Sequence, residues 1–348
     1  TVAGNPVLSV PHGRRVGAAM EQLELVVALD YYINETTSKA DYILPSTTQW
    51  EHSNYDFLFS TTSVSNFAQY SPATFAPEPG ALHQWQIITE VTARMNGMTL
   101  QDTENLMLDG MIGQLLENAD DPGMLDAETI KAVTAEHEGP EQLLDIMLRS
   151  GPYGDRFTDG EGLTLAKLKD APHGIDLGPL QPRLPELLAT PNKRIDLVPD
   201  IITGDIPRLQ AGLDNWQEGQ MVLIGRRHIR DMNSWLHNLN QFARGKNRCT
   251  LLINPQDAQR LGISADGRAR ISSKVGKFEV EVEISETMMP GVVSLPHGFG
   301  HNYADTRQSI ASGRTPGVSA NDLVDDNEMD APSGTSVVTG VPVEVVPA

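Results

Sequence analysis

Residues 268–284, RARISSKVGKFEVEVEI, alternate apolar and polar side chains at every second position. Phe278, Val280, Val282 and Ile284 fall on one face, and Glu279, Glu281 and Glu283 fall on the other. A period of two matches the pleat of a β-strand, so this stretch folds as a hairpin with one buried face. MVLIG (221–225), CTLLINP (249–255), PGVVSLPHG (290–298) and VPVEVV (341–346) read as further short strands. PQDAQRLG (255–262) reads as one short helix among them. Short strands with a single helix predict a small closed barrel over 216–348.

The first hundred residues have a different rhythm. TVAG is a short strand, Asn5-Pro6 turns the chain, and Val16, Ala19, Met20 and Leu23 recur at helical spacing. LELVVALD (23–30) is a continuous apolar run ending in a carboxylate, as in a buried parallel strand. ETTSKA (35–40) gives a brief helical turn, and DYILP (41–45) a third strand stopped by proline. This βαβαβ order predicts an α/β class, with a doubly wound layer in residues 1–100. Trp85, Ile88, Val91 and Met95, followed by Gly97, predict a further amphipathic helix. Residues 101–215 are acidic and rich in Gly and Pro, with helical stretches at 104–117 and 127–149. A proline-punctuated run, 171–200, follows them and keeps recurring Leu and Ile. This region is expected to wrap irregularly between the two folded parts.

Charge and cysteine usage exclude several functions. The net charge of −20, from 46 acidic and 26 basic residues, repels a polyphosphate backbone and argues against nucleic acid. No apolar run approaches the roughly 20 residues a membrane helix needs, so no membrane span is expected. The single Cys249 allows no internal disulfide and no iron–sulfur cluster held by this chain alone. It is expected to be a strand residue packed in a core. The chain opens directly on a strand and turn, as the continuation of a longer polypeptide would.

Ligand chemistry concentrates at strand ends. IGRRHIRDMNSWLHN (224–238) puts a Gly-Arg pair and amide side chains straight off an apolar strand. AGNP (3–6) is a second such element, and together they suit one extended phosphate-bearing ligand. Asp30, at the carboxyl end of a parallel strand, either accepts hydrogen bonds from a ribose or guanine edge or caps the following turn. Arg14, Arg15, Arg226, Arg227 and Arg230 form two basic clusters beside strand-end glycines, and the arginine fork fits phosphate. Ordinary surface ion pairing is the competing role for Arg14 and Arg15. Pro-His-Gly occurs at 11–13, 172–174 and 296–298 without zinc spacing. The first two read as turns and the third as a ligand-facing loop. Asp120-Asp121 and Asp325-Asp326 read as solvated turns. No nucleophile, general base, Walker loop or GxGxxG fingerprint is present.

AGNPVLS, VVALDYYINETTSKADYILP with its trailing WE, LIGRRHIRDMNS, INPQDAQRLGI and PGVVSLPHG occur in one order. With the closing VSANDLVDDNEMDAPSGTSVVTGVPVEV, this set resembles molybdopterin oxidoreductases of the dimethyl sulfoxide reductase type, which include formate dehydrogenases and nitrate reductases. The resemblance implies an α/β molybdopterin guanine dinucleotide-binding domain (C-terminal part) at 1–100 and a double-psi-type dinucleotide-binding barrel at 216–348. It implies a bis-molybdopterin guanine dinucleotide cofactor with molybdenum or tungsten. Residue by residue, it implies cofactor contacts at Gly4, Asn5, Leu29, Asp30, Thr36, Asp41 and His52. In the barrel it implies contacts at Ile224, Gly225, Arg226, Arg227, Asn233, Ser234, His297, Phe299, Asn321 and Thr339. His52 stands where nitrate reductases of this type often carry Lys, His83 stands near an expected Asp, and Thr339 replaces a Lys. The family's EGxxxNxxRR stretch is missing after Glu51, where HSNYDFLF stands.

The metal-ligating residue, and a 4Fe–4S cluster where one exists, are implied to lie upstream of residue 1, so this chain carries no catalytic or metal-binding residue of its own. The implied partners are an electron-transfer subunit, the N-terminal portion of the same enzyme and a small-molecule substrate. The accompanying expectation is a cytoplasmic location. The alternative is a metal-free structural relative within an electron-transfer complex, like the large iron–sulfur subunit of respiratory complex I.

Overall fold

A computed structural model describes residues 1–118, 126–158 and 160–348. Asp120-Asp121 lies outside the described residues. The chain divides into two compact units, Thr1–Leu44 with Ile195–Ala348, and Pro45–Arg194. In this grouping residues 1–44 pack with the barrel.

In the first unit, six strands close a barrel. Round it run Lys277–Ile284, Thr250–Ile253, Val292–Pro296, Met221–Arg226, Val341–Pro347 and Arg268–Ser272. The Lys277 strand pairs parallel with the Thr250 strand, and the Val292 strand parallel with the Met221 strand; the other pairings are antiparallel. Period-two patterning sends Ala269, Ile271, Val280, Val282, Val341, Val343 and Val345 inward with Leu251, Ile253, Val293 and Leu295. Each fully buried Val, Leu or Ile contributes about 1.5–3 kcal/mol of hydrophobic stabilisation. The glutamates of the Lys277 strand stay exposed, as the alternation requires. Helix Pro255–Leu261 starts on an Asn254 cap and ends at Gly262 in the left-handed conformation.

The N-terminal βαβαβ is present in small form. Val2 bridges Leu29 in parallel, and Val27–Ala28 pairs in parallel with Tyr42–Ile43. Helix Gly13–Met20 and a 3₁₀ turn, Thr37–Lys39, lie between these segments. The apolar run 23–30 is not one buried strand: only Val27–Ala28 is strand, and Leu23 and Leu25 are exposed. Gly13 is required by a close approach, since a Cβ there would sit 1.8 Å from the Val7 carbonyl oxygen.

The second unit has its own cores, one around Leu144, Leu148, Leu165 and Leu168, another around Ile112, Ile130, Ile146 and Phe157. Helix Leu100–Glu117 begins earlier than the sequence suggests because Thr99 and Asp102 form a capping box. The stretch 127–149 is two helices, Ala127–Thr134 and Pro140–Ser150, separated at Gly139 with positive φ and at Pro140. Helix Gln84–Met95 forms where expected, but it buries Ile87, Thr89 and Ala93, leaving Ile88, Val91 and Met95 exposed. Within the proline-punctuated run, Ile175–Pro179 pairs with Ser65–Ala68. Among the described residues no helix is long and apolar enough to cross a membrane.

Candidate functional site

One end of the barrel gathers much of the predicted site. The Met221 strand runs out through Ile224, Gly225 and Arg226. Gly225 has open space where a Cβ would stand. Arg227 Nη1 donates to Asn233 Oδ1 at 3.0 Å, and His297 N donates to the Arg226 carbonyl at 3.2 Å. Gly298 holds the returning loop: its φ is +85°, and a Cβ would lie 1.9 Å from the Asn233 carbonyl oxygen. Gly340 N donates to the Leu223 carbonyl, which brings exposed Thr339 to the same end. Arg227, Arg230, Ile229, Met232, Asn233 and Trp235 are exposed along this loop, and Ser234 is partly so.

Two residues assigned to ligand contact turn inward instead. The Arg226 guanidinium donates to the carbonyls of Ser294 at 2.5 Å, Thr250 at 2.7 Å and Arg248 at 3.2 Å. Burial pushes its pKa down. Its fork ties neighbouring barrel segments together. Phe299 is 0% exposed and stacks on the His237 ring, centroids 4.4 Å apart. Neighbouring His297 is half-buried, and burial, then the Arg227 cation, depresses its pKa.

A second cluster sits at the carboxyl ends of the short parallel strands. Asn5, beside Gly4, stands at the N-cap position of helix Pro6–Ser9 without a side-chain capping bond; it donates to Glu35 Oε2 at 2.7 Å and accepts from Thr36 Oγ1 at 2.7 Å. Leu29 is buried, and its backbone N–H and carbonyl bond Thr1 and Ala3. Asp30 accepts from Tyr31 N at 2.6 Å and Asn34 Nδ2 at 2.9 Å, which is the turn-capping role. A carboxylate has about four acceptor sites, so capping leaves it able to accept more.

Other predicted contacts fall elsewhere. Asp41 accepts from Val26 N at 2.8 Å, at the amino end of the same strands, and does not join this cluster. Asn321 donates to the Leu8 carbonyl at 2.9 Å and accepts from His12 N at 2.9 Å, bridging the N-terminal turn to the barrel's last segment. His52 belongs to the other compact unit, in a cleft of about 840 Å³ with His83, Tyr70, Glu141 and Lys169.

Several weaker sequence signals resolve as structure. Arg14 pairs with Asp322 at 3.0 Å and Arg15 with Asp326 at 2.6 Å, so that cluster forms surface ion pairs. Asp325 is buried against Lys274 and Asn327, which corrects the solvated-turn expectation. Cys249 is buried beside the Thr250 strand, and burial pushes its thiol up to about 11.

Sequence reasoning missed the most buried polar feature. Glu35, His301, His237 and Asp231 are each no more than 1% exposed. His301 Nδ1 lies 2.8 Å from Glu35 Oε1, and His301 Nε2 lies 2.8 Å from His237 Nδ1. His237 Nε2 lies 3.1 Å from Asp231 Oδ1, off the hydrogen-bond line. Asp231 also accepts from Arg248 Nη2 at 2.7 Å. Burial opposes ionisation of Glu35 and Asp231, but their bonds to the histidines, with Asn5 and Arg248, keep both carboxyls below the usual range. No spacing could have signalled this set, since Glu35 and His301 are 266 positions apart.

The comparisons with known proteins bear on both clusters. Residues 1–94 match the family described as molybdopterin oxidoreductase. Residues 221–342 match the molydopterin dinucleotide binding domain. A tetrathionate reductase subunit of Salmonella typhimurium is 23% identical over 98% of this chain and 38% of its own length. An NADPH-Fe(3+) oxidoreductase subunit of Geobacter sulfurreducens is 22% identical over 85% of this chain and 26% of its own. Acetylene hydratase from Pelobacter acetylenicus shares the fold, with a TM-score of 0.66 at 14% identity over 99% of this chain and 43% of that one. The chain thus spans less than two fifths of either curated relative.

Proposed function

The chain belongs to the molybdopterin oxidoreductases, and from that premise we propose that it is the cofactor-holding C-terminal portion of a bis-molybdopterin guanine dinucleotide enzyme. The whole enzyme would carry out two-electron redox or oxygen-atom transfer on a small substrate, with molybdenum or tungsten as its metal. The observation that carries the reading is the loop after the Met221 strand. In a chain of net charge −20 it leaves Arg227, Arg230 and Trp235 exposed along one loop, with open space at Gly225. Guanidinium groups and an aromatic ring on one exposed loop suit a planar, anionic ligand.

The residues present fit such a cofactor with a narrower set than the sequence suggests. Ile224, Gly225, Arg227, Asn233, Ser234, His297 and Thr339 would bind the pterin and phosphate side. Gly4, Asn5 and Thr36, with Leu29 and Asp30, would seat a guanosine end, where Asp30 keeps acceptor capacity for ring N–H groups. Arg226 and Phe299 would shape the site from behind. When bound, the cofactor supplies the redox chemistry; this chain binds it, orients it and sets its electrostatics. The proposed partners are an electron-transfer subunit plus an upstream portion carrying the metal ligand, with a 4Fe–4S cluster where present. Relatives named as subunits are consistent with that assembly.

Acid treatment of the full-length protein tests this. Release of an oxidised fluorescent pterin and GMP, with molybdenum or tungsten in the intact protein, is the expected result. Full-length protein yielding none of these overturns it in favour of the metal-free structural relative, for which the structural bonds of Arg226 would suffice.

A further inference from the structure

The row Glu35–His301–His237–Asp231 contains three short polar contacts in succession, all buried. Each contact pairs two groups that are both acceptors unless a proton lies between them. Two neutral imidazoles bring only two N–H groups between them. Donating outward to both carboxylates would leave His301 Nε2 and His237 Nδ1 facing each other lone pair to lone pair at 2.8 Å. Donating across the central contact would leave the bare His237 Nε2 lone pair 3.1 Å from an ionised carboxylate. Neither arrangement is stable at a site this deeply buried.

We propose that His237 and His301 hold one extra proton as an imidazole–imidazolium pair, which latches the Asn5–Glu35 turn to the loop that ends at His237.

The proton count then closes. One N–H runs from His301 Nδ1 to Glu35, one lies between the rings, and one sits on His237 Nε2, 3.1 Å from Asp231. The charge count closes too: Glu35 and Asp231 are negative, and Arg248 and the histidine pair are positive. A neutral pair would leave a buried excess of negative charge, and a doubly charged pair would set two cations against each other at hydrogen-bond distance. Burial depresses His237 and opposes charging it, while the Asp231 carboxylate pulls the other way. The charged and titratable groups facing it are Glu35 and Tyr303 on one side, and Asp231, Arg248 and His297 on the other. Phe299 covers the His237 ring face.

The latch reaches working parts at both ends. Glu35 bonds Asn5, whose partner Thr36 in turn accepts from Val7 N. Asp231 accepts from Leu236 N through its backbone carbonyl, which closes the loop carrying Asn233 and Ser234. Losing the extra proton would set lone pairs face to face and loosen both ends together.

Histidine-labelled ¹⁵N NMR of the full chain counts the protons directly and needs no variant or cofactor. The expected spectrum at neutral pH has three protonated ring nitrogens among the four of His237 and His301, with one strongly deshielded proton coupled to both rings. Two protonated nitrogens would overturn the proposal. As pH rises through the pair's titration, intrinsic-rate-corrected amide exchange at Val7 and Leu236 should speed up together. Unchanged protection at both would remove the latch. Glu35→Gln takes away one anion, and the third proton should then be lost at a proton concentration at least about tenfold higher. An unchanged titration in a folded variant would also overturn it, and if the variant fails to fold the wild-type proton count still decides.

Discussion

Arg226 and Arg227 stand side by side, and the fold gives them opposite work. The fork of Arg226 satisfies carbonyls on neighbouring barrel segments, so its loss strands buried acceptors. Arg226→Ala should cost about 1–3 kcal/mol, the range for leaving a buried polar group unpaired. Its urea midpoint should fall accordingly. Arg227 is exposed and bonds across its own loop, to Asn233. Arg227→Ala should leave the midpoint within about 0.5 kcal/mol of the parent. In the full-length enzyme it should weaken cofactor retention roughly tenfold, since hydrogen bonds to charged groups are worth about 1.5–3 kcal/mol. If the two variants swapped these effects, the assignment of support to one and contact to the other would be wrong. The sequence marks both residues equally, as a basic pair off a strand end, because it shows the chemistry of a side chain and not its direction.

At the scale of elements, the barrel follows from local pattern. The alternation in 268–284 predicts a hairpin, and its inward positions Ala269, Ile271, Val280 and Val282 all join one core. Leu251, fully buried from the parallel neighbour, should cost about 2–5 kcal/mol when cut to Ala, with the spread set by how far the barrel can relax. A loss under 1 kcal/mol by chemical denaturation would mean the barrel is not a closed, packed unit. Helix Gln84–Met95 shows where pattern reading fails. Its stripe of Trp85, Ile88, Val91 and Met95 has the right period, yet the fold buries Ile87, Thr89 and Ala93 instead. Period identifies a helix; only the partner selects the buried face. The run 23–30 fails in the same way, since its apolar content promised burial that Leu23 and Leu25 do not receive.

Across the whole molecule, carboxylates held by partners, buried or half-buried, set the response to acid. Burial opposes their charge, but partners outweigh it and lower Glu35 and Asp231 in one unit and Glu141 in the other. A lowered carboxyl contributes stability that is complete above its unfolded value, about 4, and is lost as pH falls through its folded value. His237, depressed by burial, adds an earlier slope, because unfolded histidine binds protons below about 6.5 while this one resists. The urea midpoint should therefore decline gently below about pH 6 and steeply below about pH 4. A flat profile across that span would contradict the paired, buried state of these groups. By itself, the sequence determined the closed barrel, the short βαβαβ, and the two strand-end loops whose ordered motifs carry the family resemblance. Those signals are local: period two, period 3.6, and turn residues at fixed offsets. Tertiary structure alone decided that Arg226 supports while Arg227 is exposed, that Phe299 is core, and that Glu35 meets His301. The partners of Arg226 lie 22 to 68 positions away, and those of Glu35 as far as 266. Separations of that size leave no periodic trace in a sequence, because only the folded chain brings such residues within hydrogen-bond reach.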